Sequence, residues 1–168
     1  PDRHRSAILC QIAVDQDGRA LRDVPDEHKT FTRCWQAVGH DGRAFAFVPK
    51  KHKTAEMCEL AMKNIDNFER VPDVHKTSAM CIRAMKAHIV YLVGLSEQCR
   101  TEEVCVAALE ISEFNIQHVP DKILTMRMCF SAIKRNGKVL EHVPVRFRTF
   151  MMCMFAVVEN SGALEFVP

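Results

Sequence analysis

Residues 25–48 read PDEHKTFTRCWQAVGHDGRAFAFV. The chain is this unit written seven times, over residues 1–24, 25–48, 49–71, 72–95, 96–119, 120–143 and 144–167; six repeats are 24 residues long and the third is 23. A fixed period of roughly 20–50 residues decides an architecture before any local propensity does. Three columns set the register. The tenth position is Cys10, Cys34, Cys58, Cys81, Cys105, Cys129 and Cys153. The thirteenth is Ala13, Ala37, Ala61, Ala84, Ala108, Ala132 and Ala156, and the sixth is Ser6 and then Thr in every repeat. Each repeat closes on Val except the fourth, which closes on Leu95.

Within a repeat, the Thr or Ser at position six predicts a helix start, because its hydroxyl can accept from an orphan N–H of the first turn. Apolar residues follow at nine, ten, thirteen and fourteen, as in Met57, Cys58, Ala61 and Met62, which is helical spacing with one buried face. The fixed Ala predicts a close helix–helix approach. Asp17-Gly18, Asp41-Gly42 and Asn136-Gly137 predict a helix end in a left-handed residue. A second short helix is expected next, with apolar residues at twenty-one and twenty-four (Leu21 and Val24, Phe45 and Val48), stopped by Pro. No period of two is present, which excludes strands. One such hairpin cannot bury its apolar face alone, whereas stacked hairpins share a core. The expected fold is all-α: an α-solenoid of seven helical hairpins forming a single domain over residues 1–168. Turn chemistry departs from the pattern over residues 64–96, where Asn64-Ile65-Asp66-Asn67 replaces the glycine type and Ser96 replaces Pro.

Composition narrows the function classes. The net charge of +2 gives no bulk attraction to nucleic acid or to an anionic membrane. No apolar run approaches the ~18 residues that read as a span, so no membrane partner is expected. The chain opens in mid-phase at Pro1 with no visible signal peptide and reads as a fragment of a longer protein. Seven of the eight cysteines form one column, the pattern of a small buried hydrophobe. Packed helices sit ~8–10 Å apart, too far for the ~7 Å Cα limit of a disulfide. Free thiols in a reducing, cytoplasmic compartment are therefore expected.

The repeat consensus resembles a short two-helix repeat of unknown function that occurs in secreted effectors of intracellular bacteria and in giant-virus proteins. Lys53-Thr54, Met57-Cys58 and Ala61-Met62 carry the resemblance, with Asn160, Ala163-Leu164 and Val167-Pro168. It covers the whole chain as a repeat pattern and brings no catalytic residues with it. It implies an interaction module of a virulence effector, working in a host cytosol after secretion.

Four features could carry function. Position four holds His4, His28, His52 and His75, then Cys99, Ile123 and Phe147. Zinc ligands must converge at ~2 Å from the metal, and residues one repeat apart do not, so this column reads as a half-buried packing slot and no metal is expected. Position five is basic at Arg5, Lys29, Lys53, Lys76, Arg100 and Arg148. These side chains either lay their stems over the previous repeat with heads in water, or bind phosphate and nucleic-acid backbone. Position eleven lies off the buried face yet holds Trp35, Ile82, Val106, Phe130 and Met154. That row is the expected protein-binding surface, with Trp35 and Phe130 as anchors. Residues 150–158 are apolar all round, and Phe150, Met151, Met154, Phe155 and Val158 predict either a further repeat or a homodimer through the C-terminal repeat. No nucleophile elbow, phosphate loop or paired metal motif occurs. The sequence therefore predicts a non-enzymatic scaffold without cofactor, binding another protein.

Overall fold

A computed structural model describes residues 6–168. All regular structure among the described residues is helical. The chain divides into two compact units, Pro1–Lys76 and Thr77–Pro168. The first holds α1 (Ala7–Gln16), α2 (Phe31–His40) and α3 (Ala55–Ala61). The second holds α4 (Ser78–Lys86), α5 (Glu102–Ile111), α6 (Met126–Arg135) and α7 (Phe150–Glu159).

Each α-helix starts as the sequence predicts. Ser6, Thr30, Thr54, Thr77, Thr101, Thr125 and Thr149 each accept from the N–H three residues on. After the α-helix comes a tighter 3-10 helix where the sequence predicts a second short helix. In the first unit these are Gly18–Asp23, Gly42–Phe47 and Ile65–Arg70; in the second, Leu92–Gly94, Glu113–His118, Gly137–His142 and Ser161–Phe166. A three-residue 3-10 turn such as Asp26–His28 or Val145–Phe147 then leads into the next α-helix.

The corner between the two helices differs from the expected left-handed stop. No described glycine has a positive φ. Asp17, Asp41, Asn136 and Asn160 are extended instead, with φ between -140 and -156. Each donates its own N–H to the Ala carbonyl at position thirteen and accepts from the N–H two residues on. One short polar side chain thus closes one helix and opens the next. The only described non-glycine residue with a positive φ is His88, at 58°, where the fourth repeat lacks this cap.

The glycine after the cap is needed for space. A Cβ on Gly18 would strike the Ala37 carbonyl oxygen of the next repeat, and one on Gly137 would strike that of Ala156. Where this position carries Ile65 or Glu113, position twenty becomes Asn. Asn67 Nδ2 donates to the carbonyls of Ala61 at 3.0 Å and Gly42 at 2.8 Å. Asn115 Nδ2 donates to the Ala108 carbonyl at 2.7 Å. The third repeat, one residue shorter, has the shortest described α-helix: α3 has 7 residues where α2 has 10.

Within each unit consecutive repeats pack in chain order. In the first unit, α1 packs on α2 and α2 on α3, and the 3-10 helices pack on each other in the same order. In the second, α4 through α7 do the same, and each of α6 and α7 also packs on the preceding repeat's 3-10 helix. The core is made by the predicted columns: Val14, Leu21, Cys34, Phe45 and Met57 in one unit, Val104, Ile116, Cys129, Ile133 and Leu140 in the other, all below 3 % exposed. An isolated helix shorter than ~12–15 residues is marginal in water. Full burial of one Leu or Phe is worth about 1.5–3 kcal/mol. These short helices persist because each buries an apolar face against its neighbours, Cys34, Ala37 and Val38 in α2 and Val104, Cys105, Ala108 and Leu109 in α5.

Candidate functional site

Three columns were candidates for function, and the structure gives each a different surrounding. His4 and Arg5, the first members of two of them, lie outside the described residues. The rest of the basic column is bound into the protein. Arg100 donates from Nε to the Leu95 carbonyl at 3.1 Å, from one terminal nitrogen to Val93 O at 3.1 Å and from the other to His118 O at 3.3 Å. Arg148 repeats the pattern on Val143 at 2.7 Å, Glu141 at 3.1 Å and Phe166 at 2.7 Å. Each guanidinium ties the end of one repeat to the end of the next through main-chain oxygens.

The lysines do part of this. Lys53 Nζ donates to the Arg70 carbonyl at 3.2 Å and lies 4.4 Å from the centre of the Phe45 ring. Burial lowers its pKa below the ordinary lysine value. Lys76 lies 4.7 Å over Phe68 and pairs with Asp73 at 2.7 Å, and Lys29 pairs with Asp26 at 2.9 Å. The heads of Lys53 and Lys76 lie over rings of the previous repeat and do not extend freely into water. The second unit's Leu124, which stands in this column, is buried.

The cysteine column sits behind the basic one. Cys105 and Cys153 donate their S–H to the carbonyls of Arg100 and Arg148, each at 3.7 Å. None of the eight cysteines forms a disulfide, and all are buried. Burial pushes the thiols of Cys105 and Cys129 up to about 11, away from the thiolate that reacts. Cys99 accepts from Ser96 Oγ at 3.3 Å and is buried. In the histidine column His28, His52 and His75 are half-buried. No group of three metal-binding side chains comes together among the described residues. Among the described residues no helix is long and apolar enough to cross a membrane.

The position-eleven row is the column left facing solvent. In the first unit Trp35 is 38 % exposed, its ring centre 5.8 Å from that of Phe31. Phe31 in turn meets the His52 ring at 6.2 Å. The two aromatics, with Thr32 and Glu56, line a shallow depression of ≈ 350 Å³. In the second unit the structure brings Val106, Phe130 and Met154 onto the consecutive helices α5, α6 and α7, all exposed. Ile82 on α4 is half-buried. Phe130 meets Phe155 edge-on at 5.2 Å. Met126, Arg127, Phe130, Thr149, Met151 and Met152 line a depression of ≈ 360 Å³. Between α5 and α6 a cleft of ≈ 270 Å³ has Val106, Leu109 and Met128 as its apolar part, with Glu102, Glu110, Arg127 and Arg135 around it.

Two members of this surface were not read from the sequence. Phe31 and Met126 stand at position seven, four residues before Trp35 and Phe130, so they share a helix face with them. The signal was the i, i+4 pairing of apolar residues on the side away from the core. A further depression of ≈ 530 Å³ in the first unit carries Arg19, Arg22, Arg43 and Arg70 among Asp17, Asp23 and Asp66. Its charges are largely spent: Arg43 pairs with Asp41 at 3.1 Å, Arg22 with Asp23 at 3.5 Å, and Arg70 donates to the Asp66 carbonyl at 3.3 Å. Comparison with family models, with curated proteins and with solved structures gives no match.

Proposed function

We propose that the chain is a non-enzymatic scaffold, an α-solenoid of seven helical hairpins, that binds another protein through the apolar residues at positions seven and eleven. The observation that carries this reading is the exposure of Phe31, Trp35, Met126, Phe130 and Met154 on α2, α6 and α7, whose residues at positions ten and thirteen are buried. Aromatic residues held on rigid helices lose little entropy on binding and dominate interface energies. The methionines adapt their shape to a partner side chain. The alternative, phosphate or nucleic-acid backbone binding along the basic column, has less to support it, since Arg100 and Arg148 already spend their donors on carbonyls. The repeat's resemblance to effector repeats supports a virulence role in a host cytosol, and cysteines that form no disulfide suit that reducing compartment.

The experiment is a capture comparison between the wild type and a Trp35→Ser, Phe130→Ser double variant, with helical content checked by circular dichroism. Both residues lie on the surface, so the fold is expected to survive. Proteins retained by the wild type and lost by the folded variant bear the proposal out. The same proteins retained by both would remove it.

A further inference from the structure

Two of the depressions, one in each unit, are built from the same positions of the repeat and differ in charge. In the second unit Met126, Arg127 and Phe130 stand at positions seven, eight and eleven of one repeat, and Met151 at position eight of the next. In the first unit those places hold Phe31, Thr32, Trp35 and Glu56. A hydroxyl replaces the cation, and a carboxylate replaces the thioether. Glu56 is thus the single ionisable group in a lining otherwise made by two aromatic rings and a threonine. It is exposed, as is Glu59 three residues further along α3, and among the described residues neither makes an ion pair with a cation of the chain. The N–H of Glu56 itself and the Thr54 hydroxyl hold the Glu56 carboxyl below its ordinary value, so it is charged at neutral pH. Since α2 packs on α1 on one side and on α3 on the other, its outward face lies between repeats that are both present.

The rings form a floor rather than the walls of a cage. Phe31 and Trp35 are tilted by 33° with centres 5.8 Å apart, too close for a group to enter between them. His52 meets Phe31 at 67° and backs its ring. Aromatic faces attract a cation through their quadrupole, and a charged carboxylate beside them adds to that attraction. A guanidinium suits this shape: it is flat, stacks on rings, is weakly hydrated and donates two parallel N–H bonds to a carboxylate. An ammonium is compact and strongly hydrated, and one open floor leaves most of its water in place. We propose that this depression receives an arginine side chain of the partner protein, its guanidinium lying on Phe31 and Trp35 and donating to Glu56. The inference rests on the protein-binding reading of the position-eleven surface and adds the chemistry of one contact. The second unit's counterpart, with Arg127 in its lining, repels such a group.

The test uses the whole chain and three capped pentapeptides of sequence Gly-Ser-X-Ser-Gly, where X is arginine, citrulline or lysine. Citrulline keeps the flat shape without the charge, and lysine keeps the charge without the plane. Emission of Trp35, the single tryptophan, reads binding directly. The arginine peptide should change it saturably, and the other two should bind roughly tenfold more weakly. Glu56→Gln, with helical content checked by circular dichroism, should bring the arginine peptide down to the citrulline level and leave the citrulline peptide unchanged. No saturable change with the arginine peptide up to its solubility limit overturns the proposal. Equal binding of the citrulline or the lysine peptide to the wild type also overturns it, and so does a folded Glu56→Gln variant that binds the arginine peptide as the wild type does. None of these results decides the capture comparison: proteins lost by the Trp35→Ser, Phe130→Ser variant would still mark the surface as a binding one, entered by an apolar side chain instead.

Discussion

Arg148 donates from Nε to the Val143 carbonyl at 2.7 Å, so the start of the seventh repeat is bonded to the last residue of the sixth. With the bonds to Glu141 and Phe166, the guanidinium holds three main-chain oxygens. Charged hydrogen bonds contribute about 1.5–3 kcal/mol each at most, less where water competes. Arg148→Ala should therefore lower the unfolding free energy of the chain by about 2–3 kcal/mol in urea titration. Arg148→Lys should recover only part, because Lys53 in the same column makes a single carbonyl bond.

Glycine substitutions separate space from conformation. Gly137→Ala places a methyl against the Ala156 carbonyl and should destabilise by about 1–3 kcal/mol, as overpacking does. Gly39→Ala, inside α2 with nothing within 4 Å of the new Cβ, should instead stabilise by about 0.5–1 kcal/mol. Melting curves of the two variants should move in opposite directions.

The repeat made most of the fold legible, because a column fixed through seven copies cannot be an accident of one environment. Position six predicted every α-helix start, and the apolar columns at nine, ten, thirteen, fourteen, twenty-one and twenty-four predicted the core. The corner was misread. Asp-Gly and Asn-Gly pairs suggest a left-handed residue, yet Gly18 and Gly137 are chosen for the neighbour's carbonyl, a contact that no single repeat contains. The partners of the basic column were not legible, because the heads depend on where the 3-10 carbonyls point. The position-seven partners Phe31 and Met126 went unread because that column changes type from repeat to repeat.

Stability should fall in alkali through the thiols. Burial holds Cys105 and Cys129 near 11, above the ordinary value of 9.0. A thiol raised in the folded state keeps its proton there while the unfolded chain loses it. The stabilisation is thus complete below about pH 9 and is lost as pH rises from there towards 11. Unfolding titrations across that window should show the decline, and Cys105→Ala with Cys129→Ala should flatten it despite lowering stability at neutral pH.

Trp35 is the single tryptophan, which makes its environment readable without a label. Half-exposed and stacked near Phe31, it should emit to the red of a buried indole and be quenched by iodide. Phe31→Ala should increase that quenching. Blue-shifted, protected emission in dilute solution would mean that this face is already covered.

The arginine bridges address main-chain oxygens, which every amino acid carries. A repeat joined in this way makes no demand on its neighbour's side chains at those points. Gain or loss of a whole 24-residue unit by recombination leaves such a junction chemically unchanged. The gene can then vary in copy number while the outward residues of each copy diverge.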